Sequence, residues 1–86
     1  MDYGLINWLK DGRYRIDTLK LLFERAYLSS ELATKLDINR ASMSRILKGL
    51  KSKDLVEDIS ENSRTVTYIL TSKGKKALEN LNKNGR

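Results

Sequence analysis

The sequence predicts a mainly α fold carrying one two-stranded β-hairpin (α+β): a three-helix core, the hairpin, and a C-terminal helix. Three observations predict it. Apolar residues recur at helical spacing through residues 13–27, 28–36 and 39–53. Two segments rich in β-branched residues, 55–59 and 65–71, flank a turn-forming run from Ser60 to Arg64. A last helical period, Ala77, Leu78 and Leu81, follows Thr71. With 86 residues the chain has room for a single domain, 1–86, with one small core.

Residues 2–10 hold Tyr3, Leu5, Ile6, Trp8 and Leu9 and read as a short helix or an ordered arm. Asp11-Gly12 is a turn signal that sets residues 1–12 apart. Trp8 either covers one end of the core or lies in a contact between subunits, where aromatics are enriched. Residues 13–27 form an amphipathic helix. Ile16, Leu19, Phe23 and Ala26 make one stripe, and Leu22 widens it. The exterior of this helix is mixed in sign, so its role is structural.

The next helix starts at Leu28-Ser29-Ser30-Glu31. Ser29 or Ser30 can cap it, and Glu31 suits the positive end of the helix dipole. Leu32, Ala33 and Leu36 form its buried face; a helix of about two turns needs tertiary packing to persist. Asp37-Ile38-Asn39 links it to the following helix, with Ile38 as an apolar plug. A short helix, a tight turn and a second helix with an exposed N-terminal face make the helix-turn-helix plan. Any pair of packed helices shares that outline; the small residue Ala33 at the close approach favours the specific reading.

Residues 39–53, NRASMSRILKGLKSK, organise the rest. Met43, Ile46, Leu47 and Leu50 fall at i, i+3, i+4 and i+7, the spacing of one buried stripe. Asn39 is a good N-cap. The other face carries Arg40, Ser42, Ser44, Arg45, Lys48 and Lys51, with Lys53 beyond, and no acid falls within the segment. Such a face suits the DNA major groove. Arginine can form two bonds to guanine, serine can reach either base type, and an alanine such as Ala41 can touch a thymine methyl. A solvated basic face on a surface helix is the plain alternative.

Val66, Tyr68 and Leu70 alternate along the second strand of the hairpin. A hairpin is marginal alone and must lie against the helices, as the wing of a winged helix. Thr71 caps the final helix, residues 72 to about 82. Lys73, Lys75 and Lys76 sit in its first turns, where the dipole disfavours cations, so they serve phosphates or solubility rather than the helix. Residues 82–86 read as a frayed tail.

Formal charge is +6 and the pI is near 9.7, which favours a polyanionic partner. The excess is local. Arg40, Arg45, Lys48, Lys51 and Lys53 form one cluster, whereas Asp54, Glu57, Asp58 and Glu61 outweigh Arg64 in the hairpin region. There is no cysteine and no histidine, which excludes disulfides, thiolate chemistry, Cys/His zinc sites and histidine-based triads. No cofactor is called for. No basic start followed by an apolar run marks a secretory signal, and no apolar run reaches the ~18 residues of a spanning helix. The expected location is the cytoplasm, on the nucleoid.

In order, Ser30-Glu31-Leu32-Ala33 with Leu36, Ile38 through Arg45, Leu47 through Leu50, Lys53-Asp54-Leu55-Val56 and Tyr68 through Gly74 match a pattern. It reads "S-E-L-A … L-x-I-S … V-S-R-x-L-x-x-L-x-x-K-G-L-V … Y-x-L-T-x-K-G". The chain thereby resembles winged helix-turn-helix transcriptional regulators of the MarR-like type. Trp8 to Arg15 is similar to the opening of small archaeal members. The resemblance spans roughly residues 8 to 80. Three departures stand out. Asp54 replaces the usual glycine after the recognition helix, where a left-handed residue is wanted. The wing is acidic where DNA-contacting wings are usually basic. The long flanking helices that build a full dimer and its ligand pocket are absent, which leaves the outline of a minimal DNA-binding module.

The resemblance implies a sequence-specific double-stranded DNA-binding protein, with residues 40–52 as recognition helix. Arg40, Ala41, Ser42, Ser44 and Arg45 would face the major groove. Lys48 and Lys51 would reach phosphates at its rim. Ser29 and Ser30, with the backbone N–H groups beside them, would hold a phosphate, and Arg64 would probe the minor groove or its backbone. A homodimer would form through the N-terminal segment (Leu5, Ile6, Trp8, Leu9) and the C-terminal helix (Ala77, Leu78, Leu81). The alternative is a winged-helix protein-interaction module within a larger assembly, which the acidic wing and Trp8 favour. An enzyme is not expected: Glu57, Asp58 and Glu61 cluster, but on a solvated hairpin without a basic or metal-type companion.

Overall fold

The helix-forming and hairpin-forming segments of the sequence appear in the structure in the expected order, with one short strand added between the second and third helices. The computed structural model describes residues 3–62 and 65–84, the side chains of 61, 62 and 82–84 excepted. Five helices and three strands lie in that part: α1 (Tyr3–Asp11), α2 (Arg15–Glu24), β1 (Tyr27–Leu28), α3 (Ser29–Leu36), α4 (Arg40–Ser52), β2 (Val56–Asn62), β3 (Thr65–Leu70) and α5 (Ser72–Asn84). Helices α2, α3 and α4 form the three-helix core. The sheet packs beside it, and α5 lies across α2.

The short helix is the form taken by the N-terminal segment. Ile6 and Leu9 enter the core, and Trp8 is half-buried against it, so Trp8 covers one end of the core of its own chain. Its ring lies over Gly49 of α4, where an added Cβ would come within 3.3 Å of Cζ2. The Arg15 guanidinium stacks on the ring at 3.9 Å from a ring centroid and also donates to the Trp8 carbonyl.

Helix α2 is shorter than its periodicity suggests, and its buried line is different. Thr18, Leu19 and Leu22 are buried, Ile16 is half-buried, and Phe23 is 60% exposed. Counting a stripe as far as Ala26 assumes a helix that in fact ends at Glu24, because Arg25 turns fully extended. Thr18 can occupy the core because its hydroxyl donates to the Tyr14 carbonyl at 2.7 Å, leaving no unpaired polar atom.

The extended Arg25 leads into β1, and this corrects the expected sheet. The hairpin has a third strand, in the order β1-β3-β2, all antiparallel. Tyr27 pairs with Tyr68 and Leu28 with Thr67. A two-stranded hairpin leaves both edges of β3 and β2 open; β1 closes one of them. Strand β2 also runs further than expected. Ser60 opposes Val66 and Asn62 opposes Thr65, with an irregularity between, so the expected five-residue tip is partly ladder.

The core gathers Leu9, Leu19, Leu22, Tyr27, Leu32, Ala33, Met43, Leu47, Leu50, Leu55, Val56, Leu70, Ala77 and Leu78. Ile6, Leu9, Ala77 and Leu78, expected as free apolar surface, are thus buried within the chain, and Leu5, Trp8 and Leu81 are half-buried. Helix α5 extends to Asn84, past the expected end near 82, while residues 85 and 86 lie outside the described part. No described helix is long and apolar enough to cross a membrane.

Candidate nucleic-acid interface

Local chemistry fixes both helices of the turn. At the start of α3 the Glu31 carboxylate accepts the Leu28 N–H at 2.9 Å, so Leu28 holds the cap position and Ser29 and Ser30 fall in the first turn instead of capping it. Arg25 pairs with Glu31 at 3.2 Å and lies over the Tyr27 ring at 3.8 Å. The Glu31 carboxyl is held below its ordinary range, first by the Leu28 N–H and next by Arg25. Helix α3 ends on Asp37 in the left-handed region, φ 56° and ψ 48°. The Ile38 N–H then returns to the Ala33 carbonyl at 3.0 Å, which tightens the turn.

Asn39 opens α4. Its side-chain oxygen accepts the Ser42 N–H at 2.8 Å, as the sequence predicts. Met43, Leu47 and Leu50 are buried and Ile46 half-buried. That stripe turns the opposite face outward: Arg40, Ala41, Ser44, Arg45, Lys48 and Lys51 are exposed and Ser42 is half-exposed. From Arg40 to Lys51 this ridge is about 16 Å long, at 1.5 Å per residue. Helix α4 closes with Asp54 at φ 61° and the Leu55 N–H returning to the Leu50 carbonyl at 3.0 Å.

Several expected residues share one surface. Ser29 and Ser30 at the start of α3 and Arg40 and Ser44 on α4 line a shallow groove, together with Leu28 and with Thr65 and Val66 of β3. The first-turn N–H groups of α3 and the Arg40 guanidinium give it two kinds of anion-favouring group. Arg45 and Lys48 lie beyond it along α4. Leu28, Thr65 and Val66 were not anticipated. A two-residue strand has no period to detect, and the groove forms only because β1 sets the start of α3 beside β3. Arg64 lies outside the described residues.

Lys51 differs from its neighbours on the ridge. Its Nζ sits 2.6 Å from an Asp58 carboxylate oxygen on β2. Each raises or lowers the other: Asp58 pushes the Lys51 ammonium up, and Lys51 holds the Asp58 carboxyl down. Both side chains retain solvent contact. Among the described residues no three His, Cys, Asp or Glu side chains converge as a metal site would need.

Comparison with known proteins finds likeness in structure only. No family model matches the sequence, and no curated protein matches it. Among solved structures, the adhesin competence repressor AdcR of Streptococcus pyogenes superposes with a TM-score of 0.76 at 20% identity, over 86% of this chain and 57% of that one. The transcriptional regulator BldR of Sulfolobus solfataricus gives 0.74 at 25%, over 80% and 51%. ZitR of Lactococcus lactis, solved in complex with DNA, gives 0.69 at 27%, over 76% and 46%. The chain therefore spans about half the length of these regulators. Its fold is the winged helix-turn-helix of MarR-like transcriptional regulators.

Proposed function

We propose that this chain is a sequence-specific double-stranded DNA-binding protein that acts as a transcriptional regulator, with α4 in the major groove. One observation carries the reading: the basic face of α4, which carries no acid of its own, exposes Arg40, Ala41, Ser44, Arg45, Lys48 and Lys51 while its apolar side is covered. Arg40, Ala41, Ser42, Ser44 and Arg45 read base edges, and Lys48 and Lys51 lie at the groove rim. Ser29 and Ser30, beside the first-turn N–H groups of α3, hold a backbone phosphate together with Arg40. Arg64, outside the described residues, is assigned the minor groove or its backbone on the sequence pattern alone. The DNA-bound ZitR structure supports this placement by its likeness of fold.

Two copies bind together, joined through the outer sides of α1 and α5, with recognition helices about 34–36 Å apart on a twofold site. On those two helices Tyr3 is exposed and Leu5 and Leu81 are half-buried. The protein acts in the cytoplasm, on nucleoid DNA.

The test is a selection of duplexes from a random pool, followed by titration of the selected and of random duplexes across salt, with the solution mass determined. With six or so phosphate contacts, affinity falls about a thousandfold or more between 50 and 200 mM salt. Failure to enrich any sequence, with no duplex affinity at low salt, would leave the second reading: a protein-interaction module. The acidic Glu57 and Asp58 on β2 favour that alternative.

A further inference from the structure

Arg40, Arg45, Lys48, Lys51 and Lys53 are the exposed cations on and just past α4, and Lys51 has a counter-charge supplied from the wing. Val56 is buried on the face of β2 turned toward the helices, and alternation puts Asp58, two residues on, on that same face. Glu57 lies between them and faces the other way. Helix α4 ends against β2, so the Asp58 carboxylate meets Lys51 on the last turn of α4, at 2.6 Å. Neither partner is sealed from water, so the pair is free to open.

The consequence for a duplex follows from how phosphate contacts gain free energy. A lysine on a phosphate contributes largely through the cation it releases from the DNA. Lys51 arrives with a carboxylate already against it. If it keeps Asp58, it releases no cation and presents a neutral pair. If it leaves Asp58, an unpaired carboxylate remains close to the phosphate it has taken up. Either course withholds one sequence-independent contact from the interface.

We propose that Asp58 is an affinity-setting residue of the wing, an internal stand-in for a DNA phosphate that keeps Lys51 from contributing to duplex binding. This rests on the DNA-binding reading above. The contact it withholds carries no base information, so Asp58 lowers affinity for all sequences alike and leaves the preference among them unchanged.

The experiment compares the full chain with Asp58→Asn, Glu57→Gln and the double variant Lys51→Gln/Asp58→Asn, on selected and random duplexes over a range of salt. Thermal melting checks that each variant is folded. Asp58→Asn is expected to tighten both duplexes by about five- to tenfold at 0.1 M salt and to steepen the log–log salt slope by about one. Glu57→Gln removes the same formal charge from the opposite side of the strand and should give a smaller gain with no change of slope. In the double variant the gain disappears. The proposal is overturned if Asp58→Asn does no more than Glu57→Gln, if it weakens binding, or if its gain survives the loss of Lys51. Wild-type protein that binds duplexes but shows one of these results removes only the Asp58 proposal. Protein that binds no duplex removes the function on which it stands.

Discussion

Thr71 donates its hydroxyl hydrogen to the Asp54 carbonyl oxygen at 2.7 Å, and the same hydroxyl accepts the Gly74 N–H at 3.0 Å. One side chain thus caps α5 and fastens it to the turn that ends α4. Thr71→Ala is expected to lower stability by about 1–2 kcal/mol, and Thr71→Ser by less, since serine keeps both bonds. Urea unfolding monitored by circular dichroism measures the difference.

Gly74 lies where α5 comes closest to the sheet and the α4 terminus. A Cβ there would intrude on the Leu55 carbonyl oxygen and on Leu70 Cδ1, and the first is backbone that cannot swing aside. The Leu55 oxygen is also held by the Thr71 N–H at 3.1 Å. Alanine would gain about 1 kcal/mol in helix propensity. Overpacking of a fixed contact opposes that by about 1–3 kcal/mol. Gly74→Ala should therefore melt below the wild type, against the usual trend for glycine in a helix.

Arg45 is exposed on α4, clear of the groove that holds Arg40. As a base reader, it should lose about 1–3 kcal/mol of specific binding on Arg45→Ala, with relaxed preference at one base pair. Equal loss on random DNA would make Arg45 a phosphate contact instead. Competition titrations with singly substituted duplexes separate these outcomes.

Glu31 links pH to stability. Its carboxyl titrates below the ordinary value of 4.5, because the charged form accepts the Leu28 N–H and pairs with Arg25. The unfolded chain then binds a proton more readily than the folded one. Stability from Glu31 is complete above the unfolded-state pKa and is lost as pH falls through the folded-state value. Glu31→Gln should therefore lower stability most in the neutral range, where the carboxylate is charged and in place, and converge with the wild type in acid, as denaturation midpoints across pH would record.

Much of the fold was legible because its signals are local. Met43, Leu47 and Leu50 are buried where their spacing put them, and Asn39 caps α4 through its own turn. Asp54 adopts the left-handed backbone that its place after α4 implied. What escaped depended on contacts between distant segments. β1 exists because β3 has an open edge beside Tyr27, and two residues carry no period. Thr18 replaced Phe23 in the core because the Tyr14 carbonyl satisfies its hydroxyl, which no hydropathy pattern registers. On the ridge itself, exposure followed from the opposite apolar stripe. The capture of Lys51 by Asp58 required the turn between α4 and β2 to be known first.

The indole of Trp8 rests on Gly49, at the back of the helix proposed to enter DNA, and the chain holds no second tryptophan. That helix therefore carries a built-in optical reporter where α1 packs on it. Any tilt or slide of α4 on docking alters the packing of this chromophore, so its emission follows the helix in unlabelled protein.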